Sequence, residues 1–163
     1  VTATTQGDTD PLALEQQVCF ALAVTNRAVL AVYRPLLEPL GLTHPQYLVM
    51  LALWDHHRRS SAQPNPLSVK SIATSLQMDS ATLSPMLKRL EALGLITRAR
   101  NATDERSTDV ALTDAGTALR SRALDIPATV VARLGVDLAE LEHLHHVLTR
   151  INSAALAAGA LQS

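Results

Sequence analysis

At 163 residues the chain is long enough for one domain with a real core, and 47 % of it is hydrophobic while only 2 % is aromatic. A core built from Leu, Ala and Val favours helices and argues against a β-sandwich, which draws on aromatic and β-branched residues. The formal net charge of −1 excludes a polycationic tail, so any nucleic-acid contact must rest on local placement of charge.

The opening VTATTQGDTDP has no basic stretch followed by an apolar one. It reads as a mobile tail over residues 1–10, not as a signal peptide. The single cysteine, Cys19, allows no intrachain disulfide framework, which fits a reducing compartment. No uninterrupted apolar run is expected to approach the ~20 residues of a membrane span. The chain therefore reads as soluble and cytoplasmic.

From Asp10 the pattern turns helical. Leu14, Val18, Ala21, Leu22, Thr25, Ala28 and Val29 follow helical spacing, while Phe20, Val24 and Leu30 add a second apolar face. A helix apolar nearly all round is buried on more than one side, and in a chain this small the expected second partner is another copy of itself. Pro35, Pro39 and Gly41 are expected to break it. A second helix runs from Pro45 through QYLVMLALWDHH, and the polar, proline-punctuated segment Arg58 to Pro66 is a loop. Ser68 looks like the cap of a short helix, VKSIATSLQ.

After a break at Met78-Asp79 comes SATLSPMLKRLEALGL, with Leu83, Leu87, Leu90 and Leu93 on one stripe and Gly94 as its stop. Pro85 leaves the start open: it is either the first helical residue, capped by Ser84, or one turn inside a helix beginning at Ser80. The period then changes. LITRAR and TDVAL alternate like strands around the turn NATDERS, which makes a β-hairpin. Thr113 and Asp114 offer a cap for a long helix from Ala115, interrupted at Pro127, and a last helix spans Asp137 to Ala157.

Short helix, turn, second helix and charged hairpin is the order of a winged helix-turn-helix, so the fold class is mainly α with a small β-hairpin. The second helix is narrow enough for the DNA major groove, and the hairpin can reach the neighbouring minor groove. Ser80, Thr82 and Ser84 crowd the start of that helix, where hydroxyls and free N–H groups can meet phosphates and base edges. Lys88 and Arg89 follow, and Arg98, Arg100 and Arg106 flank the hairpin. The alternative is bland: Ser80 only caps a helix, and Asp104 and Glu105 neutralise a solvated hairpin.

Two segments, LTHPQYLVMLALWD and MDSATLSPMLKRLEALGLITRARNATDERSTDVALTDAG, resemble the multiple antibiotic resistance regulator (MarR) family, and within it the organic hydroperoxide resistance repressors. The resemblance covers Leu14 to Pro127. It implies a repressor, not an enzyme, whose homodimer is built from the first and last helices (residues 11–41 and 115–163). Residues 42–114 would bind a palindromic double-stranded operator, with the recognition helix starting at Ser80. By position, Asp104 would brace the wing while Arg106 enters the minor groove.

VCFALAVTNRAVLAVYRPLLEPLGLTHPQY parallels the segment that carries the peroxidatic cysteine in those repressors. The resemblance implies that the Cys19 thiolate attacks an organic hydroperoxide, becomes a sulfenic acid and frees the repressor from DNA. Tyr33 matches the family tyrosine that would hydrogen-bond the thiolate. Fourteen residues separate the two, about 21 Å along one helix, so contact requires the first helix of a second subunit running antiparallel. Ala23 and His44 stand where relatives commonly carry tyrosines. Ala23 donates nothing; His44 is either a substitute donor or a loop histidine. Tyr47 is a further phenol or simply a core residue.

With no second cysteine, the sulfenic acid must meet a small-molecule thiol, another subunit's Cys19, a backbone nitrogen or more oxidant. Phe20, Leu22, Val29, Leu48 and Leu51 would suit a fatty or aromatic hydroperoxide. Three rivals stand beside this reading. His143, His145 and His146, with His56 and His57, raise a metal site but lack a matching cysteine or carboxylate set, so no metal or cofactor is expected. A thiol peroxidase would need a resolving cysteine. A repressor with an inert Cys19 would instead answer to a small apolar or phenolic ligand.

Overall fold

The computed structural model describes residue 10 and residues 12–59 and 66–160. Nearly all of the expected tail and most of the Arg58 to Pro66 loop lie outside them. A short 3-10 turn at Leu14–Gln16 leads into α1, Val18–Leu37, which begins two turns later than the apolar spacing suggested. Pro35 does not break α1 but lies inside it. It removes one backbone bond in the last turn, where the helix is already closing. The break comes at Gly41, whose left-handed φ of 70° lets Leu42 N–H return to the Leu37 carbonyl at 3.2 Å.

The helix α2, His44–Arg59, starts with the buried Gln46 side chain accepting the Thr43 N–H at 2.9 Å. Then come β1 (Leu67–Ser68), α3 (Val69–Leu76) and α4 (Ser80–Ala92). Ser68 caps α3 as expected, accepting the Ser71 N–H at 3.0 Å. Pro85 sits inside α4, which settles its two readings in favour of a helix from Ser80. The hairpin is β2 (Ile96–Arg100) and β3 (Thr108–Leu112), paired antiparallel with Arg98 opposite Val110. On the other side of β3, Leu67 pairs with Val110, giving a three-stranded sheet in the order β1-β3-β2. Two residues are too few for alternation to show, so β1 had no sequence signal.

The expected long helix is two, α5 (Asp114–Ala123) and α6 (Ile126–Leu134). The interruption falls at Leu124 and Asp125, so Pro127 opens α6 in its first turn instead of breaking a helix from within. Asp137 and Glu140 form a capping box on α7, Leu138–Ala157.

The core gathers Val49, Met50, Leu53 and Trp54 of α2 with Ile72, Leu83, Leu87 and Leu90 of α3 and α4, and Ile96 and Val110 of the sheet. Leu37, Leu119, Ile126 and Val130 tie the outer helices to it. This is a winged helix-turn-helix, and Leu83, Leu87 and Leu90 of α4 are its inner seam, while Leu93, expected on the same stripe, lies past the helix end and is half-exposed. The two ends of the chain behave otherwise. Residues 18–28 of α1 are exposed throughout, and α7 has no buried residue. Phe20, Leu22 and Val24, and Leu138, Leu144 and Ile151, therefore face outward in the single chain. By length and composition Val18–Leu40 is apolar enough to cross a membrane, which corrects the expectation that no run approaches a span. A helix that packs against a second protein chain has the same composition.

Candidate nucleic-acid interface and thiol region

The start of α4 is organised by Asp79, which the sequence reading placed in a break. Its carboxylate accepts the Thr82 N–H at 2.7 Å and the Thr82 hydroxyl at 2.6 Å. Asp79, not Ser80, is the cap, and Thr82 Oγ1 is turned back onto it. The hydrogen bonds from the Thr82 hydroxyl and N–H hold this carboxyl below its ordinary pKa. A depressed folded-state pKa means stability that is present above the unfolded value of 3.8 and lost as the pH falls through the lowered one. Asp79→Ala is expected to lower Tm at neutral pH, with the gap to wild type closing as acid protonates the carboxylate. Melting curves from neutral to acid pH check it, and a constant gap would mean that ionisation is not what makes the cap work.

Ser84 is half-buried, while Ser80, Lys88 and Arg89 are exposed along α4. Arg98 is placed differently. Its Nε and Nη2 donate to Glu91 Oε2 at 3.0 and 2.6 Å, and its backbone N–H donates to Glu91 Oε1 at 3.2 Å. The Arg98 guanidinium thus spans α4 and β2, and this hydrogen bonding holds the Glu91 carboxyl below its ordinary pKa.

At the wing tip Asn101 Oδ1 accepts the N–H of Thr103 and of Asp104 at 2.8 and 3.0 Å, and the Thr103 hydroxyl at 2.7 Å. Asp104 in turn accepts the Arg106 N–H at 3.0 Å and, through its carbonyl, the Ser107 N–H at 2.9 Å. Asp104 therefore folds the turn through backbone donors and leaves the Arg106 side chain exposed. The sequence reading missed Asn101, although an Asn opening a polar turn is the usual sign of such a knot.

The wing joins the body at Thr113. Its hydroxyl donates to the Gly94 carbonyl at 2.6 Å and accepts the Gly116 N–H at 3.0 Å. Behind it, the buried Trp54 indole N–H donates to the Gly116 carbonyl at 2.8 Å, fixing α2 to α5. A cavity of about 260 Å³ opens beside this contact, lined by Tyr47, Leu51, Trp54, Asp55, Arg58 and Arg120 among others.

Cys19 is exposed in the single chain, so its own protomer does not bury it. Both Cys19 and Tyr33 belong to α1, at opposite ends, so they do not meet within one chain. Tyr33 instead stacks edge-on against His44 at 4.9 Å between ring centroids, with Tyr47 6.0 Å away. Tyr47 is a core residue, 2 % exposed. Burial raises the Tyr33 pKa and lowers that of His44, which keeps the phenol protonated and the imidazole neutral. A cationic His44 is thus disfavoured, but a neutral imidazole still carries one N–H. Among the described residues neither side chain has a hydrogen-bond partner. Phe20, Leu22 and Leu51, expected around the thiol, are exposed in one chain. Among the described residues no three His, Cys, Asp or Glu side chains converge as a metal ion would require.

The family model described as transcriptional regulator SarA/Rot matches residues 31–122. The organic hydroperoxide resistance transcriptional regulator of Bacillus subtilis (strain 168) is 42 % identical over 142 residues, covering 85 % of this chain and 91 % of that one. The HTH-type transcriptional regulator TtmR of Methylorubrum extorquens (strain PA1) is 43 % identical over 134 residues, or 82 % of this chain and 65 % of the relative. Reduced AbfR bound to DNA, a protein of Staphylococcus epidermidis, superimposes with a TM-score of 0.71 at 29 % identity, covering 88 % and 94 % of the two chains. A hydrogen-bonded wing, a recognition helix with an exposed polar start, and relatives that are regulators and not enzymes lead to one assignment: the chain belongs to the MarR family of winged-helix, DNA-binding transcriptional regulators.

Proposed function

We propose that the protein is a homodimeric cytoplasmic repressor that leaves its operator when an organic hydroperoxide oxidises Cys19. The observation that carries this reading is the layout of α1. An exposed thiol lies at one end of an uncovered apolar helix, and two side chains with donors to spare, Tyr33 and His44, lie at the other. Pairing α1 with a second copy running antiparallel brings each Cys19 to the partner's donors and covers Phe20, Leu22 and Val24. The 42 % identity to an organic hydroperoxide resistance regulator supports the inducer class.

In the reaction the thiolate sulfur attacks the outer peroxide oxygen, the O–O bond breaks, and the alcohol leaves with a proton from the Tyr33 or His44 side of the site. Sulfur is oxidised to sulfenic acid and the peroxide is reduced. Condensation with a small-molecule thiol then releases water and leaves a mixed disulfide. A larger polar group in a packed interface pushes it toward another arrangement and changes the separation of the two α4 helices. On DNA, Ser80, Thr82, Ser84, Lys88 and Arg89 face the major groove and its phosphates, and Arg106 the minor groove.

A second reading draws on the cavity beside Trp54, which an aromatic or apolar ligand would fill, leaving Cys19 inert. One experiment separates the two: a DNA titration of wild type and Cys19→Ser, before and after one equivalent of cumene hydroperoxide with a small thiol. Release of the wild type alone, by about a hundredfold in Kd, supports the thiol. Continued binding by both directs attention to the cavity.

A further inference from the structure

An acidic side chain beside the recognition helix of a DNA-binding protein requires an explanation, because it repels phosphate. Glu91 lies in the last turn of α4, about 17 Å from Ser80 at the helix start. There it takes three hydrogen bonds from Arg98. Arg98 shares the inner face of β2 with the buried Ile96, and its side chain is 24 % exposed against 77 % for Arg59, which pairs with Asp55 on the surface. A guanidinium held in this way has two of its donors committed within the protein. The backbone N–H of Arg98 is held by the same carboxylate, so the tie fixes the strand as well as its side chain.

We propose that Glu91 is a positioning residue for DNA recognition, acting through Arg98 to set the angle between the recognition helix and the wing. Arg98, which the sequence placed among the DNA-contacting arginines, is then an internal brace, and Arg106 at the tip is the wing's contact. The helix α4 and strand β2 diverge after the turn at Gly94, and a tie between the last turn of one and the middle of the other removes their hinge freedom. Minor-groove insertion several residues farther out, at the tip, depends on that angle. This inference rests on the reading that α4 enters the major groove and the hairpin the minor groove.

The two roles for Arg98 predict opposite signs. If it touched phosphate, Glu91→Gln would free it and remove a repelling charge, so affinity would hold or rise. Arg98→Ala would then flatten the slope of log K against log salt by about 1. If it is a brace, Glu91→Gln weakens binding even though a negative charge has been removed. The experiment uses the full-length protein on a duplex selected from a random pool by the wild type. Kd, salt slope, hydroxyl-radical protection of the minor groove and dimethyl sulfate protection of the major groove would be read for Glu91→Gln, Arg98→Ala and the Glu91→Arg/Arg98→Glu exchange.

The expected result is about a tenfold loss for each single change, an unchanged salt slope, and loss of minor-groove protection at the wing while guanine protection under α4 persists. The exchange should recover part of the loss by restoring the side-chain pair without the backbone bond to residue 98, which a general fall in stability would not allow. Should the exchanged protein melt early, Glu91→Gln decides alone, because an amide at a half-exposed site leaves the fold intact. Unchanged or tighter binding by Glu91→Gln overturns the proposal. A wild type with no minor-groove protection beside its guanine contacts overturns the docked-wing reading itself, and this inference with it.

Discussion

Gly116→Ala is expected to cost about 3 kcal/mol or more of folding stability, at the upper end for a single added methyl group. A Cβ at this position would lie 2.0 Å from the Leu95 carbonyl oxygen and 2.9 Å from its carbon. Those are backbone atoms, and that oxygen already accepts the Thr113 N–H at 3.1 Å. To make room, the start of α5 must move away from the strand entering the wing. Movement there also pulls on the Thr113 hydroxyl, which bridges Gly94 and Gly116, and on the Trp54 indole bonded to Gly116. Urea unfolding followed by the fluorescence of Trp54, the single tryptophan, measures both the loss and its location. A change below about 1 kcal/mol with an unaltered emission spectrum would show that the junction relaxes freely.

The second large effect is expected on assembly. Leu141, Leu144, Leu148, Ile151 and Ala155 repeat at alternating steps of three and four along α7, which is the spacing of a helix-pairing seam. Leu144 and Ile151 are 44 % and 45 % exposed in one chain. Leu144→Arg therefore disturbs little inside the protomer, yet it places a charge in the seam of a dimer. Sedimentation equilibrium should then report the 17.5 kDa chain, and operator affinity should fall by about a thousandfold as the second half-site is lost. Trp54 fluorescence and helix content should stay at wild-type values. A variant that remains dimeric and binds DNA as before would remove α7 from the interface.

The sequence was most legible where a period extends over several turns. Leu83, Leu87 and Leu90 of the α4 stripe, the alternation in LITRAR and TDVAL, and the caps at Ser68 and Thr113 each appear in the structure where the spacing put them, whereas Leu93 closes α4 and is half-exposed. Proline was the weak guide. Pro35 and Pro85 both lie inside helices, where the burial of Leu37, and of Leu83 and Leu87, offsets the lost backbone bond.

The polar contacts were harder to foresee. Asp79 and Asn101 act on residues two or three positions away, but Glu91 meets Arg98 only because α4 turns back at Gly94. The exposed state of Cys19 follows from a simpler signal: an apolar helix with two apolar faces has more surface to cover than its own short chain can supply.

The separation of Cys19 and Tyr33 along α1 has a consequence at the level of the cell. If each thiol meets its donors only across the pair, a lone chain carries half of two detectors and a whole one of neither. Responsiveness then depends on copy number. Below the concentration at which chains pair, newly made protein lacks the donors that would make its thiol respond selectively, whereas above it two complete sites appear together. The abundance of the regulator would thus help to set the oxidant level at which its genes are switched on.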